Sequence, residues 1–138
     1  MTRNLSGISW EHFNALAPEE KTPYLVVNGR PVHVLLARQF DRQQLDSLGA
    51  LATQVRFIAK SEDGMAFLRG LLPHKRAMLY FSQPSTRTFL SFCTSCEILG
   101  MSIGEVRDAS ISSECKGESR EDSVRTFSSY FDLIVMRS

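Results

Sequence analysis

Phe81-Ser82-Gln83-Pro84-Ser85-Thr86-Arg87-Thr88 is the stretch whose reading decides the fold. An unbroken apolar run, Ala77-Met78-Leu79-Tyr80-Phe81, leads into it, and an amphipathic run, Phe89 to Leu99, leaves it. Pro84 cannot donate a ladder hydrogen bond, so it suits a strand end or a loop. Ser85 then falls at an N-cap position, with Thr86, Arg87 and Thr88 in the first helical turn. That turn has free backbone N–H groups and the positive end of the helix dipole. With its hydroxyls and a guanidinium it offers an anion site, best suited to phosphate. An ordinary capped helix with a surface arginine has the same local spelling, so the rest of the chain must decide.

The flanking pattern points to α/β architecture. A strand over 76–81 leads to a helix over 86–99, and Gly100 fits the position just past a helix end. A second strand follows at about 102–106, then a polar loop from Arg107 to Gly117. Ser119 and Asp122 propose another helix start, with Val124, Phe127 and Phe131 on one face. Asp132-Leu133-Ile134-Val135-Met136-Arg137 reads as a buried strand. Strand–helix–strand–helix–strand implies right-handed crossovers and a parallel sheet with flanking helices. Ligands of such sheets sit beyond the carboxyl ends of the strands, where Ser85–Thr88 and Arg137 both fall.

Upstream, Asp41 and Gln44 have the spacing of a capping box. Leu45, Leu48, Ala52, Val55 and Ala59 then recur at helical spacing. Ser61-Glu62-Asp63-Gly64 reads as the end of that helix, and Met65, Leu68, Leu71 and Leu72 as a short helical piece before Pro73. Residues 1–33 read as an N-terminal extension and 34–138 as the main domain. Within the extension, Ser9 caps a stretch carrying Trp10, Phe13 and Leu16, which Pro18 ends. Asn28-Gly29 forms a type I′ turn pair between Leu25-Val26-Val27 and Val32-His33-Val34, with Pro31 weakening the second strand.

The 138 residues suffice for one domain with a real core. The net charge of +1 offers no bulk basicity for nucleic acid, so any anion binding is local. No stretch approaches the roughly 20 apolar residues that span a bilayer, and the N-terminus lacks the apolar core of a signal peptide. A cytoplasmic protein without membrane or nucleic-acid partners is the expectation. Three cysteines, an odd number, argue against a disulfide framework. Cys93-Thr94-Ser95-Cys96 has the CxxC spelling. It falls in mid-helix with Phe89, Phe92 and Leu99, away from the helix start where a redox pair gains its low pKa. No second Cys/His pair completes a zinc set, so neither metal nor cofactor is expected.

The octapeptide at 81–88 resembles the carbamoyl-phosphate signature of the aspartate and ornithine carbamoyltransferases. Ser112-Ser113-Glu114-Cys115-Lys116-Gly117-Glu118-Ser119, followed by Asp122 to Arg137, is similar to the aspartate branch, because ornithine enzymes lack that lysine. The likeness runs from about His33 to Ser138. It implies the carbamoyl-phosphate-binding half of that fold. Ser85, Thr86, Arg87 and Thr88 would hold the phosphate of carbamoyl phosphate, with Thr88 also near its carbonyl oxygen. Arg137 would contact the same substrate. Ser112 and Lys116 would enter the active site of the neighbouring subunit, where Lys116 meets phosphate and aspartate; a homotrimer with shared sites follows. The implied reaction carbamoylates L-aspartate in pyrimidine synthesis, and the resemblance leaves room for regulatory or partner subunits.

Some positions depart from the family pattern. Gln83 stands where an acidic residue or lysine is usual, Phe89 replaces a second arginine, and Ser138 stands where histidine is frequent. The family's His-Pro-x-x-Gln segment and aspartate-binding domain are not among these 138 residues, which are therefore expected to be inactive alone. A non-catalytic homologue that binds phosphate ligands or assembles with an active partner, and a carbamoyltransferase with another amine acceptor, are the alternatives.

Overall fold

The computed structural model describes residues 5–107 and 119–137. The chain divides between residues 53 and 54 into two compact units.

In the first unit Ser9 caps α1 (Trp10–Ala15), its Oγ accepting from His12 N at 3.2 Å. Pro18 does not merely end that stretch. It opens α2 (Pro18–Lys21), where its missing N–H and fixed φ cost nothing. Strands β1 (Val26–Val27) and β2 (Arg30–Pro31) pair antiparallel around Asn28 and Gly29, whose φ values of 50° and 75° are those of a type I′ turn. The second strand ends at Pro31, earlier than 32–34: beyond it Val32 N and His33 N both donate to the Leu25 carbonyl, at 2.9 and 3.3 Å, so one acceptor is shared where a regular ladder would use two. Phe13 and Leu25 are buried, and Phe13 meets the Tyr24 ring edge-on at 5.9 Å. Gln39 is buried yet satisfied: its Oε1 accepts from Leu35 N at 2.9 Å and Leu36 N at 3.1 Å, and its Nε2 donates to the His33 carbonyl at 2.8 Å.

Helix α3 (Arg42–Ile58) starts at the expected capping box. Gln44 N donates to Asp41 Oδ1 at 2.8 Å, and Asp41 N donates to Gln44 Oε1 at 2.9 Å. Its apolar stripe does not form core: none of its residues is buried, and Leu45 and Leu48 stay 50% and 49% exposed. Periodicity identifies a helical face but not what covers it.

In the second unit Ser61 opens a helix instead of closing one. Its Oγ accepts from Gly64 N at 3.0 Å as the N-cap of α4 (Glu62–Arg69), because the Ser-Glu-Asp run supplies both cap and first-turn acids. The sheet consists of β3 (Arg76–Phe81), β4 (Ser102–Val106) and β5 (Leu133–Arg137), in the order β4-β3-β5, all parallel. Helices α5 (Thr86–Ile98) and α6 (Arg120–Tyr130) are the crossovers. This is the mixed α/β fold, with flanking helices, that the alternating pattern leads to. The central strand is buried from Ala77 through Phe81. Leu79 and Phe81 face α5 and pack with Phe89, Cys93, Ile103 and Val135. Tyr80, pointing the other way, meets Phe127 of α6 at 5.6 Å. Burial of each such side chain contributes about 1.5–3 kcal/mol. Strand β5 is only half-buried, not the buried strand its composition suggests, because no further described strand pairs with its outer edge.

Two devices fix where the strands begin. Asp132, just before β5, accepts from Arg76 N at 2.9 Å and from Lys75 Nζ at 3.1 Å, while its own N–H donates to the Arg76 carbonyl at 2.9 Å. The Arg76 backbone N–H, then the Lys75 ammonium, hold its carboxyl below the usual carboxylate range. Helix α5 ends in a Schellman turn, with Met101 N donating to the Cys96 carbonyl and Gly100 N to the Glu97 carbonyl, each at 3.0 Å. Gly100 sits at φ 80°, and a Cβ there would meet the Arg69 carbonyl.

Gly100→Ala is therefore expected to cost about 1–3 kcal/mol, read as a lower urea midpoint at unchanged slope; an unchanged midpoint would contradict it. Asp132 has a depressed pKa in the folded state. Its contribution is thus full above the unfolded value of about 3.9 and is lost as pH falls through the lower folded value. Asp132→Asn should flatten the dependence of thermal stability on pH in that acid range, and equal slopes for parent and variant would refute it.

Candidate functional site

The carboxyl end of β3 places the candidate groups. The parallel register puts Phe81 opposite Arg137, and the ladder continues one step further, with Ser82 N donating to the Arg137 carbonyl at 3.0 Å. Tyr80 pairs with Val106, so the next step along β4 brings Arg107 beside Phe81. The chain then turns through Gln83 and Pro84 into α5.

Ser85 takes the N-cap position of α5, but its side chain makes no capping hydrogen bond. Its φ of −160° and ψ of 84° depart from the usual cap geometry, which leaves the hydroxyl uncommitted to the helix. The aromatic pair beneath is tight: Phe81 and Phe89 meet edge to face with centroids 5.5 Å apart. Arg107 lies across the other side of Phe89, its Cζ 4.3 Å from the ring centroid. Together these residues enclose a cavity of about 100 Å³ lined by Phe81, Gln83, Pro84, Ser85, Thr86, Phe89 and Arg107. Its floor is aromatic, its rim carries hydroxyls and an amide, and Arg107 is the charged residue in its wall.

Of the residues expected to bind the substrate, Ser85 and Thr86 line this cavity; Arg87, Thr88 and Arg137 do not. Arg87 is exposed and Thr88 half-buried on the same helical turn, and Arg137 is exposed across the register from Phe81. Ser112 and Lys116 lie outside the described residues. Arg107 is the residue that sequence reasoning passed over, as the first position of a polar loop. Its stacking on Phe89 is a contact across eighteen positions that no local pattern announces.

Cys96 is buried and Cys93 half-buried in the middle of α5, where Cys93 packs against the Leu79–Phe81–Phe89 cluster. Phe92, expected on the same face, is 42% exposed. Burial pushes both thiols up, and the Glu97 carboxylate beside Cys93 adds to the effect. These are packing groups, the reverse of a redox pair. Among the described residues no group of three His, Cys, Asp or Glu side chains could hold a metal ion, and no helix is long and apolar enough to cross a membrane.

Comparison with known proteins identifies the family. Residues 32–138 match the family described as aspartate/ornithine carbamoyltransferase, carbamoyl-P binding domain. The chain is 39% identical over 105 residues to the chloroplastic aspartate carbamoyltransferase of Arabidopsis thaliana, covering 75% of this chain and 26% of that protein. It is 35% identical over 105 residues to the aspartate carbamoyltransferase catalytic subunit of Methanosarcina mazei, covering 76% and 33%. Its fold superposes with a TM-score of 0.66 and 33% identity on Trypanosoma cruzi aspartate transcarbamoylase in complex with carbamoyl aspartate and phosphate, over 75% of this chain and 32% of that one. The chain thus spans about a quarter to a third of the length of these relatives. The match over residues 32–138, on a parallel α/β sheet shared with these structures, places the chain in the aspartate/ornithine carbamoyltransferase family, as its carbamoyl-phosphate-binding domain.

Proposed function

We propose that this chain is the carbamoyl-phosphate-binding portion of an aspartate carbamoyltransferase, with residues 34–138 as the binding domain and residues 1–33 as an extension before it. The observation that carries the reading is the cavity at the carboxyl end of β3, where Ser85 and Thr86 hydroxyls meet the start of α5. A dianionic phosphate suits such a turn, which offers free N–H groups and the positive end of a helix dipole.

In this reading Ser85, Thr86, Arg87 and Thr88 hold the phosphate, and Arg137 contacts the same substrate. The aspartate amine attacks the carbamoyl carbon, the carbonyl oxygen gains charge, and the carbon–oxygen bond to phosphate breaks. The amine's proton passes to the departing phosphate, which leaves as hydrogen phosphate, as the product, N-carbamoyl-L-aspartate, forms. No protein nucleophile is required. Donors and cations fixed before reaction stabilise the developing charge, each worth about 3–4 kcal/mol where oxyanion-hole donors have been removed, and alignment of the reactants adds more. Ser112 and Lys116 complete the site from a neighbouring subunit, which makes a homotrimer the proposed assembly. A compact ammonium on a flexible stem suits a closing loop, and planar guanidinium suits fixed positions. Two free thiols among the described residues fit a reducing compartment, and the cytoplasm is the proposed location.

A second reading, a non-catalytic homologue that still binds phosphate ligands, is favoured by Gln83, a neutral amide on the cavity wall where relatives of this type usually carry a charge. Calorimetry with carbamoyl phosphate alongside turnover separates the two, since binding without product supports the second reading.

The full-length natural protein is expected to form carbamoyl aspartate, and Arg87→Ala is expected to lower kcat/KM by about 100- to 1000-fold. Turnover that is indifferent to Arg87→Ala would overturn the assignment.

A further inference from the structure

We infer that Arg107 is a further phosphate-binding cation of this site, delivered from the end of β4 and held in place by the ring of Phe89. The inference rests on the proposed function of the Ser85–Thr88 turn and adds a residue that the signature itself does not contain.

The argument begins with the sheet. β3 and β4 run parallel with Tyr80 opposite Val106, so both strands deliver their next residues to the same end. Phe81 is buried there and turns toward α5, and Arg107 follows Val106 at the matching step. Arg107 is exposed as a residue, yet its guanidinium lies over a ring of α5. Its Cζ lies 4.3 Å from the Phe89 centroid, close enough for a flat guanidinium to stack on the ring. Phe89 is itself 4% exposed and fixed edge-on by Phe81, so the surface that receives the arginine is rigid.

That position puts the guanidinium in the wall of the cavity that Ser85 and Thr86 also line. The guanidinium comes to this wall from the end of β4, not from the helix that carries Ser85 and Thr86. A guanidinium at this distance is held by the ring through cation–π attraction, which uses none of its N–H donors and leaves them to meet phosphate oxygens. The chemical class recognised is a phosphate monoester or acyl-phosphate dianion. Coverage of an aromatic ring alone would explain the stacking but not its coincidence with the hydroxyl-bearing rim.

The test uses the full-length natural protein with Arg107→Gln and Arg107→Lys, and Arg87→Ala as reference. Arg107 is exposed and lies past the end of its strand, so both substitutions leave the core intact. Arg107→Gln is expected to raise the carbamoyl-phosphate KM, and the Kd for inorganic phosphate by calorimetry, about tenfold, with the aspartate KM within about twofold. Arg107→Lys should recover part of the loss, since it restores charge but not the planar fork. If Arg87→Ala weakens phosphate and Arg107→Gln does not, the Arg107 role is overturned while the site assignment stands. If neither substitution weakens phosphate, the assignment of the site itself fails.

Discussion

Burial of β3 on both faces is the constraint from which the rest follows. Its side chains from Ala77 to Phe81 are taken up by packing, so none is left for chemistry. Parallel neighbours on both sides cover its edges and align three carboxyl ends at one rim. Reactive groups can stand only past that rim, where backbone leaves the ladder and the next helix begins. Ser85 and Thr86 come from the turn after β3, Arg107 from the end of β4, and Arg137 from the end of β5. One register error in either pairing would move an arginine to the opposite face of the sheet. This gives the clamp at Asp132 a functional side. By tying the start of β5 to Arg76, it determines which residue of β5 arrives beside Phe81.

Charge at the rim is a local matter. The chain as a whole is nearly neutral, so it has no general field to draw anions. At physiological salt, interactions between exposed charges fade beyond about 8 Å. A phosphate must therefore be met by groups within a few ångströms, namely helix N–H groups, hydroxyls and guanidinium edges. An aromatic floor serves this purpose. The Phe81–Phe89 pair keeps water from one side of the cavity and gives Arg107 a flat surface on which to rest.

Much of this was legible in the residues. The apolar run to Phe81, the Pro84 break and the amphipathic run after Phe89 are local signals, and each became the element it spells. Asp41 with Gln44, Asn28 with Gly29, and Gly100 were likewise readable, because caps and turns are decided by residues within a few positions. What escaped was set by distant partners. The stripe on α3 is genuine, but its burial depends on what covers it. Ser61 was ambiguous because the same small polar residue punctuates both ends of helices. The exposure of β5 depends on how many strands flank it, and the seat of Arg107 on whether a ring from another element stands beside it. In the site, the signature residues were visible as a motif, whereas the residue that joins Ser85 and Thr86 in the cavity wall was not.

The close approach of Phe131, the residue that follows α6, to Gly104 of β4 has an evolutionary corollary. A Cβ on Gly104 would lie 2.6 Å from Phe131 Cζ and 2.8 Å from its Cε1, so the ring occupies the volume that any larger residue at 104 would claim. Neither position can drift alone. A lineage that acquired alanine or valine at 104 would have to turn the phenylalanine ring aside or trade it for something smaller. The two sites should therefore vary as a pair of inversely matched sizes across descendants of this chain.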